Sequence, residues 1–269
     1  IAFGVSRVIL RMRFSPGFTT NIRGHRVIPK GQISDDEPLE IGSLLFDRLD
    51  QIDLTGPFEV FARMPNTTTR LDGLGAGLVQ DAGGLLLATH AKIAEAPQLD
   101  VLHIPGGPGQ EALMRNEPVL DWIRRQVSGA KIVLSVCTGA LVCGAAGLLR
   151  GRKATTYWTV QHLLPLFGAA PVDARVVVDG NLVCAGGVTS GIDGALRVAA
   201  ILRGQEAAQA IELAMQYAPE PPFRAGTPDS ASRAVLEKVQ SATAVLTAQR
   251  EETAQEIARQ LGFTGTSET

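Results

Sequence analysis

The chain has 269 residues, of which 45% are hydrophobic and 19% are charged. This length and composition can bury a large core, which excludes general disorder and fits one large α/β domain or two small ones. The net charge of −2 gives no pull toward nucleic acid or anionic membrane, and aromatic residues, at 5%, are too few for a base-stacking platform. We therefore expect neither nucleic acid nor a membrane among its partners.

The first 34 residues differ in charge from the remainder of the chain. They contain six basic residues and no acidic one, which leaves 19 basic against 27 acidic residues in the rest. They show neither a transmembrane run nor a signal-peptide pattern, although a transit peptide has a similar composition. The sequence begins with Ile rather than Met, so upstream sequence read in frame is a further explanation. We predict a disordered basic extension over residues 1–38 and one folded domain over residues 39–262.

Apolar runs and turn signals predict strands that alternate with helices. A buried strand covers residues 39–46, and the helix after it is capped by Asp53 or Thr55 and carries Pro57 in its first turn. Residues 66–84 are rich in Thr and Gly and predict one weak strand and a loop.

The middle of the chain contains the clearest junctions between strands and helices. A buried strand over residues 99–104 ends at a Pro-Gly-Gly-Pro-Gly loop and precedes a helix around Trp122. A third strand, over residues 131–136, runs directly into Cys137 and a buried, Ala-rich helix over residues 140–149.

The C-terminal half predicts a β-hairpin followed by helices. An Asp-Gly turn joins the two strands of the hairpin within residues 175–184. Helices follow over residues 192–202 and 206–216, and a long amphipathic helix runs over about residues 230–261. This alternation predicts a single α/β domain with a parallel sheet and helices on both faces.

The cysteines and histidines form no recognisable disulfide or metal pattern. An odd number of cysteines without CxxC spacing, and histidines without an HExxH motif, argue against a disulfide framework and a zinc site. We expect no metal and a reducing, cytoplasmic location. The residues concerned are Cys137, Cys143, Cys184, His25, His90, His103 and His162.

Cys137 is the leading candidate for chemistry. It stands between a strand and a helix of small residues, where the helix dipole and free N–H groups favour the thiolate. Gly139 and Ala140 allow the helix to pass close to the strand, as in a nucleophile elbow with sulfur in place of the serine oxygen. The alternative is a buried structural cysteine, which is our interpretation of Cys143 and Cys184.

Further candidates stand at neighbouring strand ends, where ligands of an open parallel sheet bind. Asp53 is either a helix cap or a carboxylate general acid and base near the sulfur. Gly106 and Gly107 can lend backbone N–H groups to a developing negative charge. His162, in a short predicted helix, is an alternative base for Cys137.

Several motifs together resemble the ThiJ/PfpI superfamily, which is class I glutamine-amidotransferase-like. They are Ser-Val-Cys-Thr-Gly-Ala at 135–140, Gly-Leu-Leu at 147–149, Ala-Thr-Thr at 154–156, Ile-Pro-Gly-Gly at 104–107 and Thr-Ser-Gly-Ile-Asp at 189–193. The resemblance covers roughly residues 39–261. It implies a flavodoxin-like three-layer sandwich with a mostly parallel central sheet and helices on both faces.

Within the superfamily, the sequence is most similar to the isonitrile hydratases. The similarity lies in Gln-Ile-Asp-Leu-Thr-Gly-Pro at 51–57, in the Cys137–Thr138 pair, and in the Pro-rich segment at 217–229. It implies that Cys137 is the nucleophile, that Asp53 is the catalytic carboxylate and that Thr138 is a hydrogen-bonding neighbour.

The resemblance also implies a substrate site and a reaction. Gly106, Gly107 and the aliphatic Val188 border a small isonitrile substrate. Cys137 attacks its terminal carbon while Asp53 supplies a proton, and the same carboxylate then activates the water that releases an N-substituted formamide. No metal or organic cofactor takes part.

A homodimer is expected because relatives in this superfamily usually dimerise. The last predicted helix carries an apolar stripe that must be covered by its own core or by a second subunit. The stripe consists of Val235, Leu236, Val239, Ala242, Leu246, Ile257 and Leu261.

Two departures from the superfamily pattern bear on the alternatives. Thr138 stands where protease-like relatives carry His, and Tyr157 stands where many relatives have another His, so a Cys–His hydrolase is disfavoured. A thiol deglycase or amidase is the enzymatic alternative. The non-enzymatic alternative is a sensor domain related to the amidase-like domain of AraC-type regulators. Those regulators carry a pair of helix-turn-helix units after this domain, and the one long helix predicted after Pro219 is not such a pair.

Overall fold

The structure, a computed structural model, describes residues 33–262. The basic extension predicted for residues 1–38 therefore falls mainly outside the described residues. Its last six residues, however, contact the domain: the Ile33 N–H donates to the Leu202 carbonyl at 2.8 Å, and Arg203 donates to backbone carbonyls of the same short stretch. Residues 33–38, which the sequence analysis placed in the extension, are thus hydrogen-bonded to the folded domain.

The core of the fold is a mostly parallel sheet, as predicted, and it has seven strands. Its strand order is β10-β11-β7-β6-β1-β2-β5, and only the β10–β11 hairpin is antiparallel. The strands are β1 (Leu39–Leu45), β2 (Thr67–Gly73), β3 (Leu78–Gln80), β4 (Leu86–Ala88), β5 (Ala91–Lys92), β6 (Val101–Ile104), β7 (Ile132–Val136), β8 (Lys153–Ala154), β9 (Ala170–Pro171), β10 (Val176–Asp179) and β11 (Leu182–Ala185).

Helices cover both faces of this sheet, which confirms the three-layer prediction. Helices α1, α5 and α6 pack on one face, and α3, α4, α7 and a 3-10 helix at Trp158–Phe167 pack on the other. Successive residues of β6 and β7 face opposite layers, so these central strands are buried on both sides and mostly apolar, with His103 and Ser135 as their polar residues. The α-helices are α1 (Gln51–Phe61), α2 (Gln110–Leu113), α3 (Glu117–Gly129), α4 (Gly139–Ala145), α5 (Ser190–Arg203), α6 (Gln205–Ala214) and α7 (Arg233–Gln260).

The start of α1 corrects one prediction. The cap is Asp50, whose carboxylate accepts from the Ile52 N–H at 3.1 Å, and not Asp53 or Thr55. Asp50 has the extended backbone that a cap requires, whereas Asp53 already lies inside the first helical turn. Asp53 is therefore free of the capping role.

The Thr- and Gly-rich region is also more ordered than predicted. Instead of one weak strand, it contains the seven-residue β2, which pairs with β1 along its whole length, and then β3 of the β3–β4 hairpin. β-branched threonines at 67–69 suit such a strand because their side chains pack well on a pleated surface.

The strand order determines where a ligand can bind. The chain leaves β1 toward β2 on one side, and β6 lies on the other side, so the β1–β6 boundary is the topological switch point of the sheet. The ends of β1, β6 and β7 are neighbours there, which brings the three predicted junctions together. No helix within residues 33–262 combines the length and apolar character needed to cross a bilayer.

Candidate active site

Cys137 lies on a sharp turn between β7 and α4, as predicted. Its backbone has a φ of 54°, a left-handed conformation that a non-glycine residue adopts at a cost of order 1–3 kcal/mol. The turn is held by the Cys137 N–H, which donates to the Ala185 carbonyl at 2.8 Å, and by Thr156 Oγ1, which donates to the Cys137 carbonyl at 2.8 Å. A side chain at Gly139 would collide with the Ile104 carbonyl oxygen, so only glycine lets α4 approach β6 this closely.

Asp53 supplies the carboxyl group that interacts with the Cys137 thiol. It is fully buried in α1, and its Oδ2 accepts from the Gly106 N–H at 2.9 Å. Burial raises the pKa of Asp53 well above its ordinary value, and the negative charge of Asp50 raises it further. Hydrogen bonds from Gly106 and from the Cys137 thiol oppose this shift only in part. The structure thus places a proton-holding carboxyl group against the thiol.

The Gly106-Gly107 loop lies between these two groups. The Gly107 N–H donates to Thr138 Oγ1 at 3.2 Å, while the Gly106 N–H serves Asp53. A Cβ on Gly106 would lie 2.6 Å from the Thr138 backbone nitrogen, so no larger residue fits there. Both N–H groups that were predicted to receive a developing charge are therefore engaged with side chains, and they orient Asp53 and Thr138.

The electrostatics of Cys137 differ from the sequence-based expectation. Burial raises the pKa of the Cys137 thiol well above its ordinary value, the Asp53 charge raises it further, and the Thr138 N–H and Arg250 lower it only in part. The predicted stabilisation of a thiolate by the helix dipole is outweighed, because α4 has only seven residues and Cys137 as a whole is only 6% exposed. Two negative charges in one buried site are costly, so Cys137 and Asp53 titrate together and retain a proton between them.

Arg250 is a site residue that the sequence analysis missed. It lies on α7, is 4% exposed, and donates through Nη2 to the Gly107 carbonyl at 2.8 Å and through Nε to Gln110 Oε1 at 3.1 Å. A signal was present: Arg250 stands four residues after Leu246 and four before Ala254, on the apolar stripe of a helix.

The other candidates lie farther from this arrangement. His162 is half-exposed on the 3-10 helix, 4.0 Å from Glu251. Val188 lies half-buried in the turn that begins α5, next to Gly187. Cys143 and Cys184 are fully buried, free thiols in α4 and β11. Within the described chain, no group of three His, Cys, Asp or Glu side chains has a metal-binding arrangement.

A cavity of about 640 Å³ opens beside the cysteine turn. Thr156, which bonds the Cys137 carbonyl, forms part of its wall. Other walls come from the β11–α5 loop, from the 3-10 helix and from α7, through Gly187, Trp158 and Leu236. The lining does not include Cys137, Asp53 or Thr138, so the cavity adjoins the cysteine turn through Thr156 and does not reach the sulfur itself.

The fold and this site define a class of protein: a flavodoxin-like α/β sandwich with a cysteine on a strained strand-to-helix turn at the switch point of its sheet. The model of the DJ-1/PfpI family matches residues 41–200, and the chain belongs to that family.

Similar proteins support this assignment. Over 206 residues the chain is 47% identical to the isonitrile hydratase of Pseudomonas putida, which covers 77% of this chain and 90% of that enzyme. The crystal structure of a ThiJ/PfpI family protein from Pseudomonas syringae superimposes with a TM-score of 0.79 at 34% identity, covering 81% of this chain and 91% of that one. A deglycase of Pyrococcus horikoshii is 41% identical over 86 residues, which cover only 32% of this chain and 52% of the deglycase.

Proposed function

We propose that this protein is an isonitrile hydratase, a lyase that adds water to R–N≡C to give the N-substituted formamide R–NH–CHO. The observation that carries the proposal is the buried pair of Cys137 and Asp53, in a chain that is 47% identical to an isonitrile hydratase over 90% of that enzyme. A soft thiol suits the isonitrile carbon, and a buried carboxyl group suits proton transfer to it.

The first step joins the substrate to the cysteine. In the state that reacts, Asp53 carries the proton of the buried pair and Cys137 is the thiolate. The lone pair of the isonitrile carbon takes that proton, the Cys137 sulfur forms a bond to the same carbon, and one π pair of the triple bond moves to nitrogen. The product is the thioimidate R–N=CH–S, in which S is the Cys137 sulfur, and Asp53 is left as the carboxylate. The raised pKa of Asp53 supports its role as the acid, because the buried group keeps its proton at a pH where an exposed carboxyl group has lost it.

The second step releases the product. Water adds to the thioimidate carbon while the Asp53 carboxylate accepts a proton from it and passes a proton to the nitrogen. The bond between carbon and sulfur then breaks, its electron pair returns to Cys137, and the hydroxyl proton remains with the buried pair. One carboxylate thus acts as acid and then as base, and the formamide leaves.

The remaining predicted residues shape the substrate site. Thr138 Oγ1 accepts a hydrogen bond from the Gly107 N–H, and the Asp53 carboxylate accepts one from the Gly106 N–H. The loop thus orients the Thr138 hydroxyl and the Asp53 carboxylate. Val188 is half-buried in the turn before α5, and its proposed role as an aliphatic neighbour of the sulfur rests on the resemblance to isonitrile hydratases. The neighbouring cavity has room for the substituent R.

A direct assay tests this function. The purified protein is mixed with cyclohexyl isocyanide, and N-cyclohexylformamide is measured by gas chromatography with mass spectrometry. We expect many turnovers without added metal or cofactor. Removal of methylglyoxal adducts from thiols or amines, with no formamide from several isocyanides, would instead assign the protein to the deglycases.

We also propose a homodimer, with α7 at its interface. The C-terminal half of α7 packs in the chain's own core, but the N-terminal half does not: Val235 is 45% and Val245 is 73% exposed. Light scattering at micromolar concentration should give twice the 28.4 kDa chain mass, and Val245→Glu should lower it. Leu78→Glu, at a similarly exposed apolar position on the β3–β4 hairpin, is the control that stays dimeric. A monomeric wild-type protein would contradict the dimer.

A cytoplasmic location completes the proposal. All three cysteines are free thiols, which is usual in a reducing compartment. The proposed chemistry also needs Cys137 to remain reduced.

A further inference from the structure

Arg250 is a buried cation without a carboxylate partner. Its two acceptors, the Gly107 carbonyl and Gln110 Oε1, are neutral, and within residues 33–262 no carboxylate oxygen lies within ion-pair distance of its guanidinium. Burying an arginine without an opposite charge costs several kcal/mol, because the group loses its hydration and gains no ion pair. The charge of Glu111 on α2 acts on the guanidinium from beyond ion-pair distance. A negative charge that forms closer to Arg250 would offset more of this cost.

The hydrogen bonds of Arg250 lead directly to the cysteine turn. Nη2 fixes the Gly107 carbonyl at 2.8 Å, and the N–H of the same glycine donates to Thr138 Oγ1 at 3.2 Å. Thr138 is the next residue after Cys137 and forms the start of α4. Gly107 therefore connects the guanidinium with the residue that follows the sulfur, through its carbonyl group on one side and its N–H group on the other.

We propose that Arg250 is a positioning residue of the active site: its guanidinium holds the Gly107 peptide in place and supplies the positive charge that faces the Cys137 thiolate. This inference rests on the proposed function only in taking Cys137 as the reactive thiol. The sulfur is negatively charged as it attacks and again as it leaves, and a fixed charge stabilises it most in a buried site.

The charged groups around the sulfur agree with this assignment. The negative charges of Asp53 and Asp50 disfavour a thiolate at Cys137, and within the described chain the positive charge of Arg250 opposes them. Tyr157 lies close to both Cys137 and Arg250.

The other groups near Arg250 are occupied elsewhere. Glu111 on α2 ion-pairs with Arg115 at 2.8 Å and accepts a hydrogen bond from Thr253. Glu251, the next residue on α7, lies 4.0 Å from His162. Neither acid makes an ion pair with the Arg250 guanidinium.

A second buried arginine provides a matched control. Arg203 is 5% exposed and also donates to backbone carbonyls, those of Ser34, Glu37 and Pro65 among them. Arg203 is the last residue of α5, whereas the turn at Thr189, on the side of the active site, precedes the first residue of this helix. Arg203 therefore stabilises the fold without facing the sulfur.

The test measures the reactivity of Cys137 without any isonitrile. Alkylation by iodoacetamide is followed against pH, with peptide mass spectrometry to identify the labelled cysteine. Arg250→Met should shift the profile upward by about one to two pH units, which slows labelling at pH 8 about 10- to 100-fold. Arg250→Lys should stay within about threefold of the wild type because the charge remains, and Arg203→Met should melt earlier but label at the wild-type rate.

Two outcomes would overturn the proposal. A folded Arg250→Met variant that labels at the wild-type rate shows that the charge does not act on the sulfur, and so does a Lys variant as slow as the Met variant. If the Met variant does not fold, Arg250→Gln replaces it, because its amide can still donate to the Gly107 carbonyl. If the wild-type protein shows no hydratase activity, these labelling results are unaffected, because they need no isonitrile. The two proposals can therefore fail separately.

Discussion

Replacing Cys137 with Ala is expected to reduce formamide production from cyclohexyl isocyanide to the uncatalysed rate. In the proposed mechanism the Cys137 sulfur forms the covalent intermediate, and no other described thiol lies on the turn beside Asp53. The variant should fold, because Ala keeps the backbone bonds of the turn to Ala185 and Thr156 and removes only one buried sulfur atom. Formamide production and thermal melting, measured on the same sample, test both expectations.

The other two cysteines serve as controls for this result. Cys143→Ala and Cys184→Ala should keep hydratase activity within about twofold, since both thiols lie in the interior of the packed layers. Each should lower stability by about 1 kcal/mol, as loss of a small buried group does. Activity that survives in Cys137→Ala, or that disappears when only Cys143 is alkylated, contradicts the assignment.

The positions of the strands could be predicted because the central strands are short, mostly apolar runs bounded by turn residues. The predicted strands at 99–104 and 131–136 contain β6 and β7, and the strand at 39–46 contains β1. In a parallel sheet all carboxyl ends meet at one edge, so the sequence alone brings Asp53, Gly106 and Cys137 close together. That inference needs only the order of elements.

What could not be predicted depends on contacts between distant parts of the chain. Arg250 reaches Gly107 across 143 residues, and one polar residue in an apolar stripe does not reveal its partner. The raised pKa of Cys137 is similar in origin, because the turn is visible in the sequence but the depth of burial is not. The cap of α1 was misplaced because Asp50 and Asp53 are both good capping residues, and only the backbone angles distinguish them.

Asp53→Asn is expected to lower kcat about 10²- to 10⁴-fold while the protein stays folded, since a general acid and base contributes rate enhancements of this size. The amide oxygen can still accept the Gly106 N–H, so the loop should keep its position. The amide holds no exchangeable acidic proton, and neither protonation of the isonitrile carbon nor activation of water remains. A loss below about tenfold with normal melting would assign Asp53 a purely structural role.

The same variant should also change how stability depends on pH. Burial raises the pKa of Asp53 in the folded state above the value of about 3.9 in the unfolded chain, so the folded protein binds this proton more tightly. The resulting stabilisation is fully present below the unfolded pKa and is lost as pH rises through the folded pKa. Asp53→Asn cannot ionise, so its melting temperature relative to the wild type should increase from pH 4 toward pH 8. A difference in melting temperature that stays constant or decreases with pH would mean that burial does not destabilise the ionised Asp53 carboxylate. The role of Asp53 as the proton donor to the isonitrile carbon would then lose its physical basis.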